Sequence, residues 1–293
     1  MAQPHDAPNL DGREIHQVKR YRLRRLLGEG GMGWVYQAYD PILEREVALK
    51  IMKANVPEDE RRRFRREAIF GARFCHPSIV RVFDMGLMPN PYDESEDTEW
   101  ISMEYLPGVD MEEVLLSRAE KGEHPPLRSV AEVFRQVIAG LQYAHDCKVV
   151  HRDVKPANIF VTKDPNTKFV TSKLLDFGVA LDLEVPLKKE TVAGDPRYMA
   201  PEQTWSKMHI DHRVDIYSAG MSLFEIMAGR HPFADLEGRS VKTWIAAQRE
   251  RPIPSIESHL APGTSQHVAV GLDAIVQKAC HKEAHRRYDH VRE

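Results

Sequence analysis

HRDVKPANIF, residues 151–160, sets Asp153, Lys155 and Asn158 close together and then returns to an apolar run. Pro156 and the polar cluster cannot continue a helix, and Ile159, Phe160 and Val161 resume as a short strand. The three polar side chains therefore belong to a loop fixed at both ends by core. Upstream, Val130, Val133, Phe134, Val137, Ile138, Leu141 and Ala144 keep helical spacing behind a Ser129/Glu132 capping box, so a helix delivers the chain into this loop. Further on, LLDFGVA adds a second carboxylate, Asp176, before Phe177 and a permissive Gly178. Asn158 and Asp176 offer oxygen ligands suited to Mg²⁺, a hard cation that takes few protein ligands and keeps substrate phosphates in its shell. Asp153 can accept a proton from, or orient, an attacking hydroxyl, while Lys155 offsets charge on a transferring phosphoryl group.

The N-terminal third holds a second set of candidates. Residues 21–27 and 34–39 read as strands around GEGGMG, with Gly28, Gly30 and Gly33 in GxGxxG spacing and Val35 just beyond. A dinucleotide fold would open a helix here and a P-loop would need GK[ST]; a strand of bulky and β-branched residues follows instead. What remains is a glycine flap whose backbone N–H groups can approach phosphates, or a plain hairpin turn rich in glycine. EVALKI then places Lys50 on the strand face opposite Val47, Leu49 and Ile51. Such a lysine is ordinarily a solvated edge residue. Here a helix follows with Phe64, Ala68 and Ala72 at i, i+4, i+8, and Glu67 near its inward face wants a cation. The six arginines from Arg61 to Arg73 read as a solvated face rather than a phosphate receptor.

Composition narrows the classes. Of 293 residues, 42% are hydrophobic and 29% charged, enough for a real core, and the net charge of −3 gives no basic field for nucleic acid or anionic lipid. Cys75, Cys147 and Cys280 are odd in number and form no CxxC pair, which argues against a disulfide framework or a zinc site and fits a reducing cytoplasm. Residues 1–18 are polar and lack a signal peptide's apolar core; they read as a disordered leader. No apolar run is long enough to span a membrane. The final RRYDHVRE ends on a helix-like pattern without a cap, so the natural chain is open to continuing.

Taken in order, these motifs resemble those of eukaryotic-type protein kinases, most similar to the bacterial Ser/Thr branch. The likeness runs through Gly28–Val35, the VALK ending in Lys50, Glu67, His151-Arg152-Asp153, Asn158, Asp176-Phe177-Gly178 and Ala200-Pro201-Glu202. It implies an α+β, two-lobed protein kinase fold: a small antiparallel-sheet N-lobe with one helix over about 19–104, a hinge at about 104–108, and a larger, mainly helical C-lobe over about 109–293. It also implies ATP and Mg²⁺ as cofactors and protein Ser/Thr hydroxyls as acceptors, with autophosphorylation that admits a homodimer. By the same resemblance Asp153 is the catalytic base, Lys155 marks Ser/Thr rather than Tyr specificity, and Asn158 and Asp176 hold the metal. Lys50 holds the α- and β-phosphates and pairs with Glu67. WISMEYLPG resembles the hinge, with Met103 as gatekeeper and the backbone of Glu104 and Leu106 bonding adenine between Leu27, Val35, Ala48 and Phe160. Glu202 is expected to pair with Arg287, and Asp215 to bond the backbone of the catalytic loop. A membrane tether, if there is one, lies outside this segment.

Three features depart from the family pattern. Asp195 stands in AGDPRYMAPE where Thr is usual; its charge falls beside Asp153 or pairs with Lys155, and reduced activity is the expectation. From Gly178 to Gly194 the only hydroxyl is Thr191, either the regulatory phosphosite received by Arg152 or a plain loop residue. MPNPYDESEDTEW reads as a long acidic turn, solvated or docking a basic partner, with Asp93, Glu94, Glu96, Asp97 and Glu99. Two rival functions follow: a pseudokinase or weakly active scaffold that binds nucleotide and partners, disfavoured by the presence of all the metal and base residues and mildly favoured by Asp195, and a small-molecule phosphotransferase, disfavoured by Ala200-Pro201-Glu202 and Arg287.

Overall fold

The computed structural model describes residues 9–10, 13–14, 17–53, 56–90, 93–163, 169–183, 194–205 and 210–293, with backbone alone for 9–14, 90 and 93–96. The chain clusters into two compact units, Met1–Cys75 with Val80–Pro107, and His76–Ile79 with Gly108–Glu293.

The first unit is an antiparallel sheet of six strands: β1 (Gln17–Val18), β2 (Tyr21–Glu29), β3 (Gly33–Asp40), β4 (Arg45–Met52), β5 (Val82–Asn90) and β6 (Asp93–Glu104), in the order β1-β2-β3-β4-β6-β5. Alternation decides its two faces. Val47, Leu49 and Ile51 join Trp34, Tyr36, Ala38 and Trp100 in one cluster, while Met52 and Ile101 pack with Phe64 and Ala68 of helix α1 (Glu58–Arg73) in another.

Several expectations change here. The buried stripe of α1 continues through Phe70 and Gly71, and Ala72 is exposed. Gly71 lies so close to Val82 that an added Cβ would fall 2.4 Å from Val82 Cγ2, a packing role invisible to helical periodicity. Val18 is buried in the sheet core and Asn9–Leu10 pairs with Arg13–Glu14, so paired backbone begins inside the stretch read as a disordered leader. The acidic turn is largely strand, since β5 runs to Asn90 and β6 starts at Asp93. Glu99 is buried and accepts from Arg65 Nε at 2.7 Å, which takes Glu99 off the solvated turn assigned to it, while Arg65 stays on the exposed face of α1.

The second unit holds helices α2 (Met111–Ala119), α3 (Leu127–Asp146), α4 (Arg213–Ala228), α5 (Val241–Glu250) and α6 (Gln266–Ala279). A three-stranded antiparallel sheet joins them, β7 (Gly108–Asp110), β8 (Ile159–Lys163) and β9 (Val170–Leu174), ordered β9-β8-β7. Helix α4 buries 13 of its 16 residues, so it is a core helix rather than an amphipathic one, and it ends at Gly229 in the left-handed region. The expected capping box does not form. Pro126 is the N-cap of α3, its carbonyl accepts from Ser129 N and Val130 N, and Ser129 lies inside the helix. The fixed φ of proline starts the helix earlier than the Ser/Glu pattern suggests. Beyond Arg287 the chain forms bends and turns, not a helix. Among the described residues no helix is long and apolar enough to cross a membrane.

Glu202 and Arg287 form a buried bidentate pair at 2.6 and 2.8 Å, and Arg287 also donates to the carbonyls of His281, Arg213 and Lys282. Arg287→Met is expected to lower stability by about 3–5 kcal/mol, because Glu202 is left charged in the interior. Adding Glu202→Leu should recover part of the loss in thermal unfolding. A single variant as stable as wild type would show that the pair is not structural.

Candidate active site

In the first unit, strand register collects the nucleotide-binding candidates on one sheet face. Val35 lies opposite Gly28 on one side and Lys50 on the other, and Ala48 lies opposite Met103. Helix α1 packs on this same face through Phe64, which brings Glu67 Oε2 to 2.5 Å from Lys50 Nζ. Both members are mostly buried, so the pair fixes the lysine. Gly30 N–H closes the flap onto Gly33 O at 2.9 Å. The three glycines differ in kind. A Cβ on Gly33 would collide with Ile51 O at 2.2 Å, whereas Gly28 has nothing within 4 Å. Gly33 is thus a packing requirement, and Gly28 leaves backbone open to approach. Leu27 is partly exposed beside it. At the hinge candidates, Glu104 N–H is taken by Arg81 O at 2.9 Å, so an adenine contact from Glu104 falls to its carbonyl. Leu106 follows in coil.

The second unit holds the remaining candidates, Phe160 on β8 among them. Pairing of β8 with β9 starts at Ile159 opposite Leu174, and Leu175 N–H reaches Asn158 O at 2.9 Å. This hairpin fastens the segment carrying Asp153 to the segment carrying Asp176. His151 makes a second fastening: its Nδ1 accepts from Asp153 N, its Nε2 donates to Leu175 O at 2.9 Å, and its ring packs on Phe177 with centroids 4.5 Å apart.

Asp153 is held on both oxygens. Oδ1 accepts from Asp195 N–H at 2.8 Å; Oδ2 accepts from Asn158 Nδ2 at 3.0 Å and lies 3.1 Å from Lys155 Nζ. Asn158 Nδ2 also donates to Asp153 O at 2.8 Å, so the amide is oriented with its oxygen as the group presented. Asp176 Oδ1 accepts from Gly178 N at 2.9 Å, and Asp176 itself has φ 55°. Burial alone would lower the Lys155 pKa, but Asp153 and Asp195 together raise it, so the ammonium stays charged. Thr191 lies outside the described residues.

Several organising residues escaped the sequence reading. His145 Nε2 shares Asp215 Oδ2 with the loop backbone, and Gln203 Nε2 donates to Arg152 O. Arg197 grips Asp195 through both oxygens, at 2.8 Å to Oδ2 and 3.1 Å to Oδ1. The only sequence signal for that grip was an acid and a base two positions apart across Pro196.

The protein kinase domain family matches residues 21–291. The serine/threonine-protein kinase PrkC of Bacillus subtilis is 33% identical over 274 residues, 92% of this chain and 38% of PrkC. PknB of Mycobacterium leprae is 35% identical over 278 residues, 93% of this chain and 41% of PknB. The crystal structure of the Mycobacterium tuberculosis PknI kinase domain superposes with a TM-score of 0.67 at 25% identity, covering 94% of each chain. The chain belongs to the protein kinase domain family. It spans about two fifths of the length of the curated relatives it matches.

One histidine near Asp195 yields a pH test. His231 is buried; its Nδ1 accepts from Phe233 N at 3.0 Å while Nε2 donates to Arg197 O at 3.0 Å. A second ring proton would face the Phe233 N–H. Burial first, and the nearby Arg197 charge with it, push its pKa down to about 4. The unfolded chain therefore takes up a proton from about pH 6.5 downward that the folded chain refuses until about pH 4, and stability falls across that window by roughly 3 kcal/mol. His231→Gln is expected to flatten this part of the stability profile in thermal unfolding from pH 7 to 4. An unchanged slope would contradict a neutral, buried His231.

Proposed function

We propose that this chain is the catalytic domain of a serine/threonine protein kinase, transferring the γ-phosphoryl of ATP to protein hydroxyls and to its own chain. The reading is carried by Asp153, whose two oxygens are held by Asp195 N–H, Asn158 and a charged Lys155, so that one carboxylate is aimed and electrostatically balanced before any substrate arrives.

Asp153 orients the acceptor hydroxyl and receives its proton as the oxygen–phosphorus bond forms. The bond between the γ-phosphorus and its bridging oxygen breaks, and ADP carries away the electron pair. Lys155 balances charge on the moving phosphoryl group, and Lys50, kept in place by Glu67, holds the α- and β-phosphates. The open backbone at Gly28 suits phosphate approach, and Leu27, Val35, Ala48, Met103 and Phe160 supply apolar contacts to adenine. Asn158, with its amide turned oxygen-outward, and Asp176 form the hard-oxygen set that would hold Mg²⁺. When bound, that ion neutralises phosphate charge.

Serine/threonine preference is supported by Lys155 and by the names of PrkC and PknB. The cytoplasm, with its ATP, is the setting this reaction requires. Two copies acting on each other would show as a rate that rises with protein concentration.

The test is intact-protein and peptide mass spectrometry before and after Mg²⁺·ATP. Wild type should gain phosphates, mapped to Thr191 or elsewhere, and chelation of Mg²⁺ should stop the gain. Asp153→Asn should slow it by roughly 10²–10⁴-fold. No phosphate on the chain or on Ser/Thr peptides, with ATP still bound, would replace this reading with that of a nucleotide-binding pseudokinase.

A further inference from the structure

Asp195 is the residue of this loop most at odds with its surroundings. Its side chain is 15% exposed, and its Oδ2 lies 3.6 Å from Lys155 Nζ, which also stands 3.1 Å from Asp153 Oδ2. One lysine therefore serves two carboxylates, and an unbalanced Asp195 would draw it off Asp153.

Arg197 supplies the balance. Its guanidinium meets Asp195 through Nε at 3.1 Å to Oδ1 and 3.2 Å to Oδ2, and through Nη2 at 2.8 Å to Oδ2. Its own N–H donates to Asp195 Oδ1 at 3.0 Å. Such a planar fork on a carboxylate is strong and directional. The arginine is also preset. Its carbonyl accepts from His231 Nε2 and Gln248 Nε2, and its guanidinium packs over the Tyr198 ring at 5.3 Å. The other charged and titratable groups nearby are accounted for. Glu112 lies 4.0 Å from Arg197 at a half-exposed rim, and Glu225 is bonded to Tyr198 Oη at 2.5 Å. Glu225 is engaged by the Tyr198 hydroxyl, and burial keeps His231 neutral, so no second cation stands beside Asp195 from that side. Asp176 also acts on Lys155, at longer range.

We propose that Arg197 and Asp195 work as one positioning unit, in which Arg197 holds the Asp195 carboxylate back so that Lys155 stays on Asp153. Asp195 keeps the backbone contact that this position makes to the catalytic aspartate, its N–H on Asp153 Oδ1, while its charge is absorbed by Arg197. The unusual carboxylate is thereby compatible with full transfer activity, and it is Arg197 that the activity depends on. Burial would raise the Asp195 pKa, but the Arg197 contacts lower it on balance, in keeping with an ionised pair.

The inference rests on the protein kinase reading and is tested by a two-residue cycle with steady-state kinetics on a Ser/Thr peptide. Arg197→Ala should lower kcat at least about tenfold with the KM for ATP within about twofold, because Lys155 is shared with an uncompensated carboxylate. Asp195→Thr/Arg197→Ala should return kcat to within about threefold of wild type, since the charge needing compensation is gone. Thermal unfolding of each variant separates loss of fold from loss of position, and the rescue is the readout that a purely structural arginine would not give. An active wild type whose double variant is no faster than Arg197→Ala, or whose Arg197→Ala keeps its kcat, overturns this inference alone. A wild type that transfers no phosphate overturns it together with the kinase reading.

Discussion

Asp215 has no exposed surface, and yet its carboxylate is the anchor on which the loop carrying Asp153 hangs. Oδ1 accepts from Arg152 N at 2.7 Å; Oδ2 accepts from His151 N at 2.8 Å and lies 2.7 Å from His145 Nε2. Burial by itself would raise the pKa of such a group, but the hydrogen bond from His145, with the neighbouring histidines and backbone donors, lowers it on balance. The loop needs that anchor. Arg152 has φ 69°, a conformation that costs a side-chain-bearing residue of order 1 kcal/mol and persists only when its surroundings impose it. Two backbone donors aimed at one buried carboxylate impose it, and the next residue, Asp153, is pointed by the same turn.

From that anchor the site can be built outward in covalent and hydrogen-bonded steps. His151 ties the loop to Leu175 and Phe177, and the β8–β9 hairpin ties Asn158 to Leu175. Gln203 closes the other side by donating to Arg152 O while accepting from Ala200 N. The segment containing Asp195 is thereby fixed to the same frame as Asp153. Lone buried charges would be untenable here, and three of the carboxylates are matched: Glu202 with Arg287, Asp215 with His145 and two N–H groups, Asp195 with Arg197 and Lys155. In the first unit the same logic pairs Lys50 with Glu67 on the sheet face that α1 covers.

Much of this was legible from local pattern. Period-two alternation placed Lys50 opposite the Val47 face, and a strand directly after GEGGMG excluded the other glycine-rich loops. The pairings of Glu202 with Arg287 and of Asp215 with the loop came through resemblance, not through spacing. What stayed hidden depends on distant partners. Gln136 belongs to none of the sequence motifs, and it donates to Val170 O and accepts from Ser172 N on β9. Glu99 read as part of a polar turn because its neighbours are acidic, whereas strand β6 carries it inward against Arg65. Ser129 and Glu132 matched a capping pattern that Pro126 pre-empted. At Asp195, sequence showed a charge next to Asp153; only the turn through Pro196 shows why that charge is tolerated, because it folds Arg197 back onto it.

Asp215→Asn tests the anchoring of the loop directly. The substitution keeps size and shape but turns one acceptor oxygen into an N–H donor facing donors. Single-turnover phosphoryl transfer, measured with the fold verified by circular dichroism, is expected to slow by roughly 10²-fold with ATP binding retained, since a misplacement near 1 Å costs about that much. A folded Asp215→Asn chain that transfers phosphate at the wild-type rate would contradict the claim that this buried carboxylate sets the geometry of the site.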